Sequence, residues 1–163
     1  MAPSEICRLF GEAKFKEMFL SLNAAAMKLS LSEAGLSALR APGQTSIRKR
    51  NEDWAQKLWR AMPTGKDAVG GTLLYQWLSQ KRSPLISFYM DALAVPHKNG
   101  LTEENFWENV SAEQAQEAAQ RLLGEAQFDK AEVAAYLLFL DFQHKTDKLA
   151  PLGLEQHLPP RQA

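Results

Sequence analysis

A single cysteine, Cys7, stands in the 163 residues, so no disulfide can form within the chain and nothing asks for an oxidising compartment. No stretch approaches the roughly 18 consecutive apolar residues of a membrane-crossing helix. The opening MAPSEICRLFGEAKFK carries Glu5 and Glu12 and lacks the uninterrupted apolar run of a signal peptide. These absences lead to the expectation of a soluble, cytoplasmic protein with no membrane partner. An excess of one charge is missing as well, with 19 Lys and Arg against 19 Asp and Glu. Nucleic-acid affinity comes largely from neutralising phosphates, so this balance disfavours DNA or RNA as the partner. The three histidines, His97, His144 and His157, all lie in the C-terminal half, which leaves Cys7 without a neighbouring base in sequence. Period-two alternation and repeats of 20 to 50 residues are absent too, which removes sheets and solenoids from consideration.

What remains is helical. The hydrophobic fraction of 45% and charged fraction of 23% are those of an ordinary folded domain. A chain of this length can bury roughly 70% of its unfolded surface without disulfides or metal. Ile6, Leu9, Phe10 and Ala13, then Phe15, Met18, Phe19 and Leu22, give a first amphipathic helix from Ser4, with Gly11 as its weak point. Ser30 and Glu33 have capping-box spacing for a second helix through Leu36 and Leu39, stopped by Arg40 and Ala41-Pro42-Gly43. After a linker to Ser46, a third helix carries Ile47, Trp54, Leu58 and Met62 on one face and ends at Pro63. Thr64 caps a fourth, whose Gly70-Gly71 pair marks close approach of another helix or a bend. Ser83 as N-cap with Pro84 at N1 restarts the chain into a fifth helix, and so short a connection makes helices four and five an antiparallel hairpin. Thr102 caps a short helix with Phe106, Trp107 and Val110, and Ser111 with Gln114 forms a capping box for a seventh.

The eighth segment, Ala131 to Phe142, is the longest apolar run. Asp129 at its N-cap and Glu132 at N3 have capping-box spacing, with Phe128 and Val133 placed for a hydrophobic staple. A helix apolar on nearly all sides must be surrounded. The expectation is an all-α, single compact domain of about eight helices over residues 1–144, built around this nearly all-apolar C-terminal helix. Residues 145–163 form a Pro-containing tail, either a strap over the core or disordered.

Few residues could carry chemistry. Pro63-Thr64-Gly65-Lys66-Asp67 resembles a phosphate loop only in its Gly-Lys pair: Asp67 replaces the metal-binding hydroxyl, Arg60 stands at the first glycine position, and no strand precedes it. Asp141 and His144 are three apart on one helix, as in helical-bundle metal sites, but the matching pair on a facing helix is missing. Asp91 and His97 are the nearest second pair, and Pro96 between them keeps them off a common face. His144 otherwise sits where a cation complements the helix dipole. Cys7 in the first turn of a helix could have a depressed thiol pKa, although a buried small hydrophobe is the commoner fate. No cofactor is expected.

The charge balance hides segregation. From Ile47 to Lys66 six basic residues face two acids, a surplus of four positive charges; from Leu101 to Asp129 seven acids face Arg121, a surplus of six negative ones. Arg48, Lys49 and Arg50 fall in the first turn of a helix, where cations oppose the dipole. Four tryptophans are fitted mostly to the core; Trp59 and Trp107, at the edges of their stripes, are the candidates for exposed interface anchors. The sequence therefore reads as a non-catalytic protein-interaction or self-association module using oppositely charged surfaces, contacted through Arg48, Lys49, Arg50, Trp59 and Trp107. The alternative is a helical metal protein or enzyme using Asp141 and His144.

Overall fold

A computed structural model of the chain describes residues 1–36, 46–62 and 67–161. The fold is all-α, as expected, with seven α-helices among the described residues where the sequence suggested about eight. They are α1 (Pro3–Leu20), α2 (Ala24–Glu33), α3 (Ile47–Ala61), α4 (Asp67–Lys81), α5 (Ser83–Ala92), α6 (Ala112–Gly124) and α7 (Lys130–His144). Three 3-10 turns, Phe106–Asn109, Ala150–Leu152 and Leu154–His157, complete the list. The helix stop at Leu39 to Gly43, Pro63, and the Thr64-Gly65-Lys66 segment lie outside the described residues. The chain groups into two compact units, Ala2–Gln80 and Lys81–Ala163 with Met1.

In the first unit, α1 begins at Pro3, one residue before Ser4. Ala2 is the N-cap with Pro3 at N1, and the Glu5 carboxylate accepts from the Ala2 N–H at 3.1 Å. Gly11 breaks the helix, with φ 84° and ψ 167°, a conformation that side chains with a Cβ resist. The change of stripe seen in sequence follows from it: Ile6 and Cys7 before the break and Phe15, Met18 and Phe19 after it are all fully buried. The second helix starts at Ala24, not Ser30. Asn23 caps it, its side chain accepting from the Ala26 N–H at 2.9 Å. Ser30 lies inside α2, fully buried, its hydroxyl donating to the Ala26 carbonyl at 3.0 Å. In α4, a Cβ on Gly70 would stand 2.6 Å from the backbone nitrogen of Ser4 and 2.8 Å from the carbonyl carbon of Pro3. The glycine pair thus marks close approach, with the α1 backbone lying against it.

The second unit is organised on α7. Val133, Ala134, Ala135 and Leu137 have no exposed surface, and Tyr136, Phe139 and Leu140 are 5%, 7% and 5% exposed. Helix α6 and the last 3-10 turn pack on α7, and α5 packs on α6. Asp129 caps α7 as expected, accepting from the Glu132 N–H at 3.0 Å. Both Glu132 oxygens accept from the Arg82 guanidinium, 2.9 Å for the Nη2 contact, so a tertiary ion pair takes up the group that a capping box would use. Phe128, the intended staple, is half-buried edge-on to Phe88, ring centroids 5.8 Å apart. Ser111 and Gln114 form the reciprocal box that the sequence suggested. Arg82, not Ser83, is the N-cap of α5, and Ser83 and Pro84 are its first two residues. Thr102 opens no helix, and Phe106–Asn109 is a single 3-10 turn. Within residues 145–161, Leu149, Leu154 and Leu158 are buried.

Two adjacent positions on α7 separate packing from polarity. Leu137→Ala removes a fully buried side chain and should lower unfolding stability by about 2–5 kcal/mol. The Tyr136 hydroxyl is buried and, among the described residues, lacks a hydrogen-bond partner. Tyr136→Phe removes that orphan group and should leave stability unchanged or raise it by up to about 1 kcal/mol. Denaturant unfolding of both variants checks the pair; a loss above about 1.5 kcal/mol for Tyr136→Phe would show that the hydroxyl is satisfied.

Candidate functional site

The basic turn lies at the start of α3. Ser46 caps the helix, its hydroxyl accepting from the Lys49 N–H at 3.2 Å, and residues 46–50 are all exposed. Ile47, expected on the buried stripe, is 69% exposed; burial begins further along, at Ala55 and Leu58. Arg48 reaches Glu52 one turn on, at 3.2 Å, in a pair whose arginine side chain is 90% exposed. Such a pair contributes little and leaves the guanidinium free to exchange partners. Lys57 stands 4.9 Å from the Trp54 ring centroid on the same helix. Trp59 is half-buried against Phe15, centroids 5.1 Å apart, so one part of its indole faces the core and the rest is accessible.

Trp107 does not belong with these residues. It is 1% exposed, because the segment forms a 3-10 turn that faces the indole inward. Its Nε1–H donates to Thr146 Oγ1 at 2.8 Å, and the Thr146 hydroxyl in turn donates to Asp141 Oδ1 at 2.6 Å. The second Asp141 oxygen accepts from the Leu149 N–H at 2.9 Å. Lys148 closes the arrangement: its ammonium donates to the carbonyls of Trp107 and Val110, the latter at 2.7 Å, and lies 4.9 Å from the Trp107 centroid. Gln116 on α6 donates to the Lys148 carbonyl at 2.8 Å. Asp141 is therefore a clamp that fastens the chain after α7 to the core.

His144 lies beside this clamp. Its ring packs on Trp107, centroids 6.0 Å apart and planes 31° from parallel, and meets Phe106 edge-on at 5.6 Å. Burial and the Lys148 ammonium hold its pKa below the ordinary value, outweighing Asp141 and Glu108. The expected cation at the helix terminus is thus replaced by a ring disposed to stay neutral. Among the described residues no three His, Cys, Asp or Glu side chains are grouped to hold a metal ion. An open groove of about 710 Å³ runs along the outer side of α7 past Leu138, Phe142, Leu149 and Leu154. Asp141 lines it with both oxygens already occupied.

Cys7 is fully buried, and burial pushes its thiol up to about 12, the reverse of an activated nucleophile. Asp91 and His97 do meet. The chain turns back after α5 through Ala94, at φ 54°, and brings His97 Nε2 to 2.7 Å from Asp91 Oδ1. The Gly100 N–H donates to His97 Nδ1 at 3.0 Å, which leaves the ring proton on Nε2 toward Asp91. Both ring nitrogens are committed to closing this turn. Thr146, Lys148, Gln116 and Arg82 were not legible as partners in sequence, since each acts on a residue 5 to 50 positions away. No protein-family model, curated protein or solved structure matches the chain.

The setting of His144 has a pH consequence. Its folded pKa lies below the ordinary 6.5, so its contribution to stability is whole above that value and is lost as pH falls from there toward the folded pKa. Unfolding stability should therefore decline below about pH 6.5, and His144→Phe should remove that part of the decline. Superimposable pH profiles for the two proteins would show that His144 does not contribute.

Proposed function

We propose that this chain is a non-catalytic protein-interaction module whose contact surface is the basic first turn of α3. The observation that carries the reading is the exposure of that turn: Ile47 and three consecutive cations project from a helix end whose dipole they oppose. An arrangement that is unfavourable in the isolated chain becomes favourable when an anionic surface meets it. The acidic residues of 101–129 supply a second charged surface, with Glu103, Glu104, Glu108, Glu113, Glu117 and Asp129 all exposed. Support also comes from where the reactive side chains are spent. Cys7 is sealed in the core, Asp141 accepts a hydrogen bond on each oxygen, and His97 and His144 are built into turns and ring contacts. Trp59 contributes its accessible part to the same helix; Trp107 is excluded from the surface by burial.

The test is capture from lysate by the tagged protein, cross-linked at low and at high salt, alongside the R48E/K49E/R50E triple variant. The wild type should retain a stoichiometric protein, an untagged copy of itself included, and should lose it at high salt. The variant should lose it at low salt with an unchanged circular dichroism spectrum, since these side chains lie off the buried face. Equal capture by wild type and variant would overturn the reading.

A further inference from the structure

Among the described residues the two most exposed large hydrophobic side chains are Ile47, at 69%, and Leu101, at 65%. Each heads a charged run of opposite sign. Ile47 is followed by Arg48, Lys49 and Arg50; Leu101 is followed by Thr102, Glu103 and Glu104. The second run is presented by a tight turn, in which Lys98 and Leu101 exchange backbone hydrogen bonds of 2.9 and 3.0 Å. Residues 103–105 beyond it are exposed and non-helical, just as residues 46–50 are exposed at the start of α3. Each surface thus offers one aliphatic side chain followed by a run of one sign, with Lys98 across the turn from Leu101 and Glu52 paired to Arg48 as the opposing charges, and each run has on the other the counterpart it needs.

We infer that the partner of the basic turn is a second copy of this chain, docked so that Ile47, Arg48, Lys49 and Arg50 of one copy meet Leu101, Glu103 and Glu104 of the other. The inference rests on the reading of the basic turn as a contact surface and goes further by naming its occupant. Charge complementarity sets orientation and register, and the paired aliphatic side chains supply a small apolar centre inside a charged rim. The two surfaces differ, so two copies either close in a two-fold dimer, each basic turn on the other's acidic run, or leave one surface of each sign open and grow until a ring closes. A patch of this size belongs to the weak, salt-sensitive class of interfaces.

Sedimentation velocity of the purified full chain over a concentration series decides the matter. At low salt the weight-average mass should rise with concentration, and high salt should return it to the monomer. R48E/K49E/R50E and, separately, E103K/E104K should each weaken self-association by at least about tenfold. Mixing the two variants should restore it, because every basic turn then meets an acidic one. Ile47→Ser and Leu101→Ser should each weaken it several-fold with all charges intact. A monomer at every concentration in low salt, or self-association that neither reversal weakens, overturns the inference. If the chain is monomeric while the triple variant still loses a different protein in the lysate capture, this inference fails and the reading of the basic turn stands.

Discussion

The second unit depends on what α7 demands of its surroundings. A helix apolar on nearly every side has to be enclosed, and any polar group carried inside with it has to be satisfied there. Two acids go in with α7: Glu132 in its first turn, 8% exposed, and Asp141 in its last, 9% exposed. Each uses its carboxylate on a distant part of the same unit. Glu132 takes the fork of Arg82 at the entrance to α5, and Asp141 takes the Thr146 hydroxyl and the Leu149 amide. Burial supplies the driving force and is indifferent to direction; the two carboxylates add direction, since each is met by partners at fixed positions in the chain. Removing one partner of a fully buried ion pair typically costs about 3–5 kcal/mol, and the Glu132 pair falls below that because Arg82 is 31% exposed.

The same economy explains why residue types associated with chemistry are not arranged for it. Asp141 and His144 lie one helical turn apart, yet the carboxylate faces the chain that follows α7 and the imidazole lies on Trp107. Lys148 touches that indole too, so cation, ring and carboxylate form a closed set around one side chain. A metal or general-base site needs lone pairs directed at an unfilled position, and here each Asp141 oxygen already accepts a hydrogen bond from the chain after α7. Structural use of these groups leaves the exposed charged runs as the features that the fold itself does not consume.

How much of this was legible depends on the range of the interaction. Caps written within four residues were readable: Asp129, and Ser111 with Gln114, do what their spacing says. Gly11 was readable as a weakness, and its positive φ makes it a break. Ser30 misled because Ser-x-x-Glu is a cap signature only where the chain enters a helix; in a chain already helical from Ala24, a buried serine bonds back to the preceding turn. Trp107 misled for a related reason, since a face assigned at 3.6 residues per turn is the wrong face in a 3-10 turn. The pairing of Asp91 with His97 and the role of Thr146 and Lys148 required knowing where a non-helical segment returns, and periodicity carries no information about segments without a period.

The charged surfaces belong to a third category, visible in sequence only after the net charge is set aside. Zero net charge removes the long-range repulsion that keeps many proteins apart, while segregation of the charges along the chain preserves strong local fields. At physiological ionic strength those fields extend about 8 Å, so they act only on surfaces already close to contact. On the proposed reading, a uniformly charged polyanion such as nucleic acid complements only one of the two runs, and a partner carrying both signs in complementary places complements both. The chain carries that distribution itself, with an exposed aliphatic residue at the head of each run to exclude water from the contact. On that reading, local charge order under overall neutrality suits recognition of a surface like its own better than recognition of a uniformly charged one.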